Sequence, residues 1–209
     1  VALNKGAKRV LMFSGARLSK AMIMPIQTDR FFVITGGPGS GKSTLIEDLH
    51  RRGHARSIEA GRGIIQDQVA IGGHALPWSD PLLFAELMLC WEMRNHHLAE
   101  DAAGIVFFDR GVPDVLGYLQ LLGLRAPEHV RKAAETFRYN RRVFIAPPWE
   151  EIFRPDRERK QDFEEAVRTH QSMLEIYTQC GYELIEIPLV SVNERAEFVL
   201  QKIGEWACF

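Results

Sequence analysis

Cysteine is sparse in this chain: Cys90, Cys180 and Cys208 are the only three, an odd number set far apart. That pattern excludes a disulfide framework and shows no metal-ligand spacing, and it fits a reducing, cytoplasmic setting. Long apolar runs are missing too. The run at residues 10–13 is too short for a signal-peptide core and far too short to span a bilayer, so no membrane partner is expected. Neither charge dominates, because 26 basic and 27 acidic side chains leave a formal net charge of −1. That balance gives no support to a broad nucleic-acid surface. Repeats, coiled-coil heptads and interdomain linkers are also absent from the pattern.

One local absence stands out. Lys5, Lys8, Arg9, Arg17 and Lys20 are opposed by no acid before Asp29. Residues 1–28 therefore read as a leader expected to be flexible, or as codons upstream of a start at Met22 or Met24. The rest, residues 29–209, has the apolar content of one domain, the whole sequence being 46% hydrophobic.

Within it, Phe31-Phe32-Val33-Ile34 runs into Gly36-Gly37-Pro38-Gly39-Ser40-Gly41-Lys42-Ser43-Thr44. This is the phosphate-binding pattern G-x-x-x-x-G-K-[ST] at the exit of a strand. Its glycines let backbone N–H groups converge on a β-phosphate. Lys42 is placed to reach the β- and γ-phosphates, and Ser43 to complete a Mg²⁺ shell. The helix expected over 42–52 adds its N-terminal dipole. ATP or GTP with Mg²⁺ is the expected cofactor.

Alternating elements follow. A short strand at 56–58 ends at Glu59, and helices are expected at 61–71 and from a Ser79 or Asp80 cap to about 102. The apolar strand 105–108 stops at Asp109. Helices at 114–122 and 127–138, a strand at 143–146, a helix at 162–180, a strand at 183–187 and a helix at 193–203 complete the pattern. The fold class is α/β: a mostly parallel five-stranded sheet with helices on both faces and ligands at the strands' C-terminal ends.

Asp109 ends a strand where phosphate-loop enzymes place a Mg²⁺-holding acid. Arg110 follows it. Glu59 ends the neighbouring strand and is a candidate base for an acceptor hydroxyl, the rival reading being a surface helix start. Arg62, one turn later, can orient an anionic substrate group. Residues 149–161, with Arg154, Arg157 and Arg159, read as a lid carrying cations for a transferred phosphoryl group, or else as a solvated, ion-paired helix start. Phe84, Met88 and Trp91 fall at core-packing spacing, Arg94 and Glu92 are candidates to face the pocket, and His96-His97 read as a surface pair.

These motifs, with Phe-Phe-Asp-Arg-Gly before Pro113-Asp114, the run 154–159 and the tail from Tyr177 through Gly181-Tyr182-Glu183 and Ile187-Pro188 to Arg195, carry a resemblance. From about residue 31 to 200 the chain resembles small bacterial P-loop proteins of the "AAA domain" ATP-binding family, some described as cytidylate kinases. More distantly it is similar to nicotinamide riboside, deoxynucleoside and thymidylate kinases. The resemblance implies the P-loop kinase fold with strand order 2-3-1-4-5 in a three-layer sandwich. It implies that Glu59 handles the acceptor hydroxyl, that Asp109-Arg110 is the acid–arginine pair after the third strand, and that Arg154, Arg157 and Arg159 are lid arginines. The loop after Pro188 would cradle the donor base. A monophosphate site would draw on Arg62, Arg94 and Arg110. The helical lid domain of AAA motors is not readable here.

The expected function is ATP/Mg²⁺-dependent phosphoryl transfer to a small nucleoside-, nucleotide- or riboside-like acceptor. The alternatives are an ATP/GTP-binding regulatory switch with no acceptor, and a protein acting on nucleic-acid ends through its basic leader. Oligomeric state is not readable from the pattern.

Overall fold

Strands that are apolar on both faces need helices on both sides, and the chain supplies them by alternation. The computed structural model describes residues 28–154 and 162–207. The leader at 1–27 and the lid stretch 155–161 lie outside the described residues. In chain order the elements are β1 (Phe31–Gly36), α1 (Lys42–Arg51), β2 (Ala55–Arg56), α2 (Ala60–Ile71), α3 (Pro81–Glu100), β3 (Val106–Asp109), α4 (Val112–Leu121), α5 (Glu128–Thr136), β4 (Arg142–Ala146), α6 (Phe163–Gln179), β5 (Glu183–Glu186) and α7 (Val192–Ala207). All five strands pair in parallel in the order β2-β3-β1-β4-β5. This is the expected P-loop sandwich.

β1 lies at the centre and is buried along its whole length. Its alternate side chains serve two cores. Phe32 and Ile34 pack with Phe107, Phe144 and the apolar faces of α1 and α7, whereas Phe31 and Val33 pack with Phe108, Ile145 and residues of α6. Two smaller clusters seat α4 on α5 and α2 on α3, the latter through Ile64, Leu76 and Phe84, with Met88 and Trp91 packed against it. Among the described residues no helix is long and apolar enough to cross a membrane.

Two local expectations are corrected. β2 stops at Arg56, short of the 56–58 expected. The Ser57 hydroxyl accepts from the Asp109 N–H at 3.0 Å, which turns the chain out of the ladder and lets Glu59 start α2. His96 is buried and not a surface residue. Its Nε2 lies 2.8 Å from the Arg138 carbonyl and its ring meets Phe31, Phe137 and Tyr139 edge-on, while His97 stays exposed. Burial lowers the His96 pKa below the usual imidazole value.

α3 is bounded by side chains at both ends. Asp80 caps it by accepting from the Leu83 N–H at 3.0 Å, with Pro81 in the first turn. At the other end Arg30, just before β1, donates to the carbonyls of Ala99, Glu100, Ala102 and Gly104 at 3.0, 2.8, 2.5 and 3.1 Å. A cation there satisfies carbonyls left over by the helix and complements its dipole. Arg30→Met should therefore lower stability by about 2 kcal/mol, or roughly 4–8 °C in Tm for a chain of this size, measured by thermal unfolding.

Candidate active site

The phosphate loop follows from how β1 leaves the sheet. Gly36 has φ +132°, and a Cβ there would lie 2.3 Å from the Ala146 carbonyl oxygen, so the strand can exit against β4 only with glycine. α1 then starts after Gly41 with no side-chain cap, which leaves its first N–H groups turned toward the loop cavity. Lys42 is buried with its ammonium folded over the loop, donating to the Gly37 carbonyl at 2.5 Å and to Ser40 Oγ at 3.2 Å. The Phe153 ring lies across Gly39, where a Cβ would come within 2.5 Å of it.

Asp109 ends β3 beside Ile34 of β1. Its Oδ2 accepts from Ser43 Oγ at 3.2 Å, and its Oδ1 is buried with no hydrogen-bond partner. Burial raises the Asp109 pKa, and the Glu59 carboxylate raises it further, against the opposing pull of Lys42, Arg110 and Ser43. An unspent carboxylate oxygen next to a hydroxyl fits Mg²⁺, which takes one or two protein groups together with phosphate and water. Among the described residues no group of three acids, histidines or cysteines could cage a metal instead.

Arg110 turns away from β3 in the left-handed region, φ +74°, a costly conformation for a non-glycine residue. Its Nη1 donates to Asp114 Oδ1 at 2.9 Å and its Nε lies 3.7 Å from Glu59 Oε1. These acids raise the guanidinium's pKa despite burial. Asp114 also accepts from Thr35 Oγ1 at 2.6 Å, the Gly111 N–H at 3.0 Å and the Tyr177 hydroxyl at 2.7 Å. Glu59 itself is the residue before α2, but its side chain does not cap that helix. Only 11% of that side chain is exposed, and Arg62 Nε lies 3.8 Å from it, so it is not a surface helix start.

Two cavities open here. The smaller, about 500 Å³, is walled by Pro38, Gly39, Ser40, Gly41, Lys42, Ser43 and Thr44, with Glu59, Arg62, Arg154 and Arg195 among its other residues. Gly36 and Gly37 form the base of the loop and not its wall. Val190, Ser191 and Val192, in the loop after Pro188, border the same cavity as Trp149 and Ile152. The larger, about 1030 Å³, reaches from Pro38 and Glu59 past Glu92, Arg110 and Asp114 to apolar residues of α2, α3 and α4.

Most of the residues singled out in the sequence thus meet around one crevice. Arg94 does not: it is exposed on α3 and lies on the wall of neither cavity. Glu92, two residues earlier, faces the larger cavity, and two helical residues turn the side chain through about 200°. Arg154 borders the smaller cavity with its Nη1 on the Glu151 and Phe153 carbonyls. Arg157 and Arg159 lie outside the described residues.

Two residues, Asp114 and Arg195, had no chemical role assigned from sequence, and Glu92 had one only as a candidate to face the pocket, where it lies. Asp114 gathers four donors. Arg195, on α7, is 1% exposed, donates from Nη2 to the Ser40 carbonyl at 3.1 Å and sits 5.9 Å from the Trp149 ring. Glu92 is 2% exposed, and burial followed by the charge of Asp114 raises its pKa well above the usual carboxylate value. A polar residue embedded in an apolar stretch hinted at Asp114 and Glu92, and nothing of that kind marked Arg195.

Asp114→Asn removes the charge that balances buried Arg110, and should cost about 3–5 kcal/mol in denaturant unfolding. Glu92 behaves in the opposite way. Because its folded pKa is raised, the native state holds a proton that the unfolded state loses above pH about 4.5, so its contribution to stability falls as pH rises through that range. Glu92→Gln should accordingly raise Tm at neutral pH by about 2–4 °C, the shift of ~1 kcal/mol. The gain should shrink as pH falls toward the unfolded carboxylate value.

Solved structures share the fold of this chain. A NadR protein in complex with NR is 18% identical, with a TM-score of 0.64 over 87% of this chain and 51% of that one. The chain thus spans about half of NadR's length. Deoxyadenosine kinase from M. mycoides, with bound dATP, is 14% identical with a TM-score of 0.57 over 83% of this chain and 99% of the other. Thymidylate kinase from Ehrlichia chaffeensis is 14% identical with a TM-score of 0.58 over 84% and 98%. At such identities the likeness establishes the fold. No curated protein matches the sequence. The AAA domain family profile matches residues 31–195. With its phosphate loop, strand order and strand-end aspartate all inside that span, the chain belongs to the AAA domain family of P-loop proteins.

Proposed function

We propose that this protein is a kinase that uses ATP or GTP with Mg²⁺ to phosphorylate a hydroxyl of a small acceptor. One observation carries the reading: the phosphate-loop cavity and the larger cavity share Pro38 and Glu59 as a common wall. A triphosphate held in one and an acceptor held in the other would face each other across a carboxylate. A regulatory switch would have no use for the second cavity, and the nucleic-acid reading rests on a leader outside the described residues.

In this scheme the loop amides and Lys42 hold the triphosphate, and Ser43 and Asp109 hold Mg²⁺. The metal, when bound, supplies charge neutralisation on the phosphate oxygens. Glu59 accepts the acceptor's hydroxyl proton as that oxygen bonds to the γ-phosphorus. The bond from the γ-phosphorus to the bridging oxygen breaks, and the nucleoside diphosphate leaves. Arg62 and Arg110 flank Glu59 and keep its oxygens directed at the crevice. Arg154, with Arg157 and Arg159 of the lid, would cover the migrating phosphoryl group, a role in which one arginine is worth roughly 10³–10⁵ in rate. The loop after Pro188 and Trp149 would seat the donor base. The balanced geometry of loop, acid and base would then supply positioning more than covalent chemistry.

A γ-labelled ATP screen against nucleosides, monophosphates, ribosides and small polyols tests the proposal. Lys42→Ala should abolish transfer, and Glu59→Gln should lower kcat by about 10²–10⁴ while leaving nucleotide affinity near wild type. Hydrolysis of ATP with transfer to no acceptor, unaffected by Glu59→Gln, would defeat the kinase reading in favour of a switch.

A further inference from the structure

The larger cavity carries information about what it would bind. Among the described residues Arg110 is the one basic side chain on its wall, and that guanidinium is held 2.9 Å from Asp114 and 3.7 Å from Glu59. Against it stand the acids Glu59, Asp114 and Glu165, with Glu92 beside them, its pKa raised by burial. Arg62 lies on the wall of the phosphate-loop cavity instead, and Arg94 on neither. A phosphate or carboxylate entering here would meet like charge in a partly desolvated space with no cation of its own to bind. The arginine-rich site that a nucleoside monophosphate acceptor requires is therefore missing from this wall.

The rest of the wall is apolar. Phe84, Met88, Val115 and Tyr118 line the interior, and the Tyr118 hydroxyl is buried with no hydrogen-bond partner. At about 1030 Å³ the space stands at the top of the roughly 300–1,000 Å³ range of small-molecule sites. Its rim collects three large apolar side chains left in water, Val69, Trp78 and Leu122, exposed by 60%, 64% and 44%. Exposed apolar groups clustered at a cavity mouth mark a place where an apolar surface is covered on binding.

We propose that the acceptor is a non-anionic alcohol with an extended apolar body, its hydroxyl at Glu59 and its body against Phe84, Met88 and Tyr118. The apolar end reaches the rim at Val69, Trp78 and Leu122. The acids exclude phosphorylated analogues and tolerate neutral or cationic ones. Burial raises the Glu92 pKa, and in its protonated form that side chain would offer a donor without adding charge. The assignment of the hydroxyl to Glu59 rests on the kinase reading; the chemistry of the wall does not.

The test uses the full chain and N-phenyl-1-naphthylamine, a neutral apolar fluorophore, as the probe. The probe should bind the wild-type protein, and Val69→Glu, an exposed helical substitution that keeps helix propensity, should weaken it about tenfold. Matched pairs then compete for the site: 4-phenylbutanol against 4-phenylbutyl phosphate, and thymidine against its 5′-monophosphate. The alcohol of each pair should displace the probe at a concentration at least about tenfold lower than its phosphate. Equal or tighter binding of the phosphates, no binding of the probe, or indifference to Val69→Glu would overturn the assignment. A separate arm supplies γ-labelled ATP. Alcohols that displace the probe normally yet accept no phosphoryl group would refute the kinase reading and leave the ligand class standing.

Discussion

One carboxylate holds the site in register. Asp114 receives four hydrogen bonds from four parts of the chain: Thr35 at the end of β1, Arg110 after β3, Gly111 at the start of α4 and Tyr177 on α6. Two oxygens have about four lone-pair directions, so the group is saturated. The entry to the phosphate loop, the turn after the strand-end acid and two helices are thereby referenced to a single point. A buried network that is fully satisfied is rigid, whereas one missing a member is worse than an apolar core. The left-handed backbone of Arg110 persists because these surroundings over-determine it.

The charges around this hub are unevenly paired. Asp109, Glu59, Asp114 and Glu92 lie near Lys42 and Arg110; Glu59 raises the proton affinity of Asp109, and Asp114 and Asp109 raise that of Glu92. Arg110 spends its charge on Asp114 and Glu59. Asp109 keeps one oxygen unsatisfied and raised in proton affinity. A divalent cation relieves that condition directly, and a triphosphate brings the opposite charge to Lys42 and the uncapped start of α1. Under the proposed kinase reading, metal and triphosphate would each offset charge that the folded site holds fixed in place, which is electrostatic preorganisation in physical terms.

How much of this was legible in the sequence differs between the two halves of the crevice. The phosphate-loop half is contiguous: a strand, a glycine-rich loop and a lysine within a dozen residues, plus an acid that ends an apolar run. The strand order was legible through the resemblance those motifs carry. The larger cavity is assembled from α2, α3, α4 and α6, and periodicity fails at its centre. The buried stripe of α3 includes Glu92, Asn95, His96 and Ala99, at helical spacing but with three polar members. A rule that equates buried with apolar turns that face outward. It therefore left His96 on the surface and allowed Arg94 into the pocket. Asn95 shows why the polar stripe survives burial: its amide donates to the Ile58 carbonyl at 3.1 Å. Asp114 was visible in the sequence as a residue but not as a hub, because its partners are 3 to 79 positions away.

Glu59 shows how the two halves are joined. β2 is only two residues long because Ser57 is diverted to the Asp109 amide, and α2 begins at once. The carboxylate is therefore carried at a strand end and a helix start together. The helix dipole favours its charge there, and its side chain makes no capping bond but lies between Arg62 and Arg110. Had β2 continued through Ile58, Glu59 would be a ladder residue with its direction fixed by the pleat. The short strand gives the side chain access to both cavities, and on that placement any transfer between them depends.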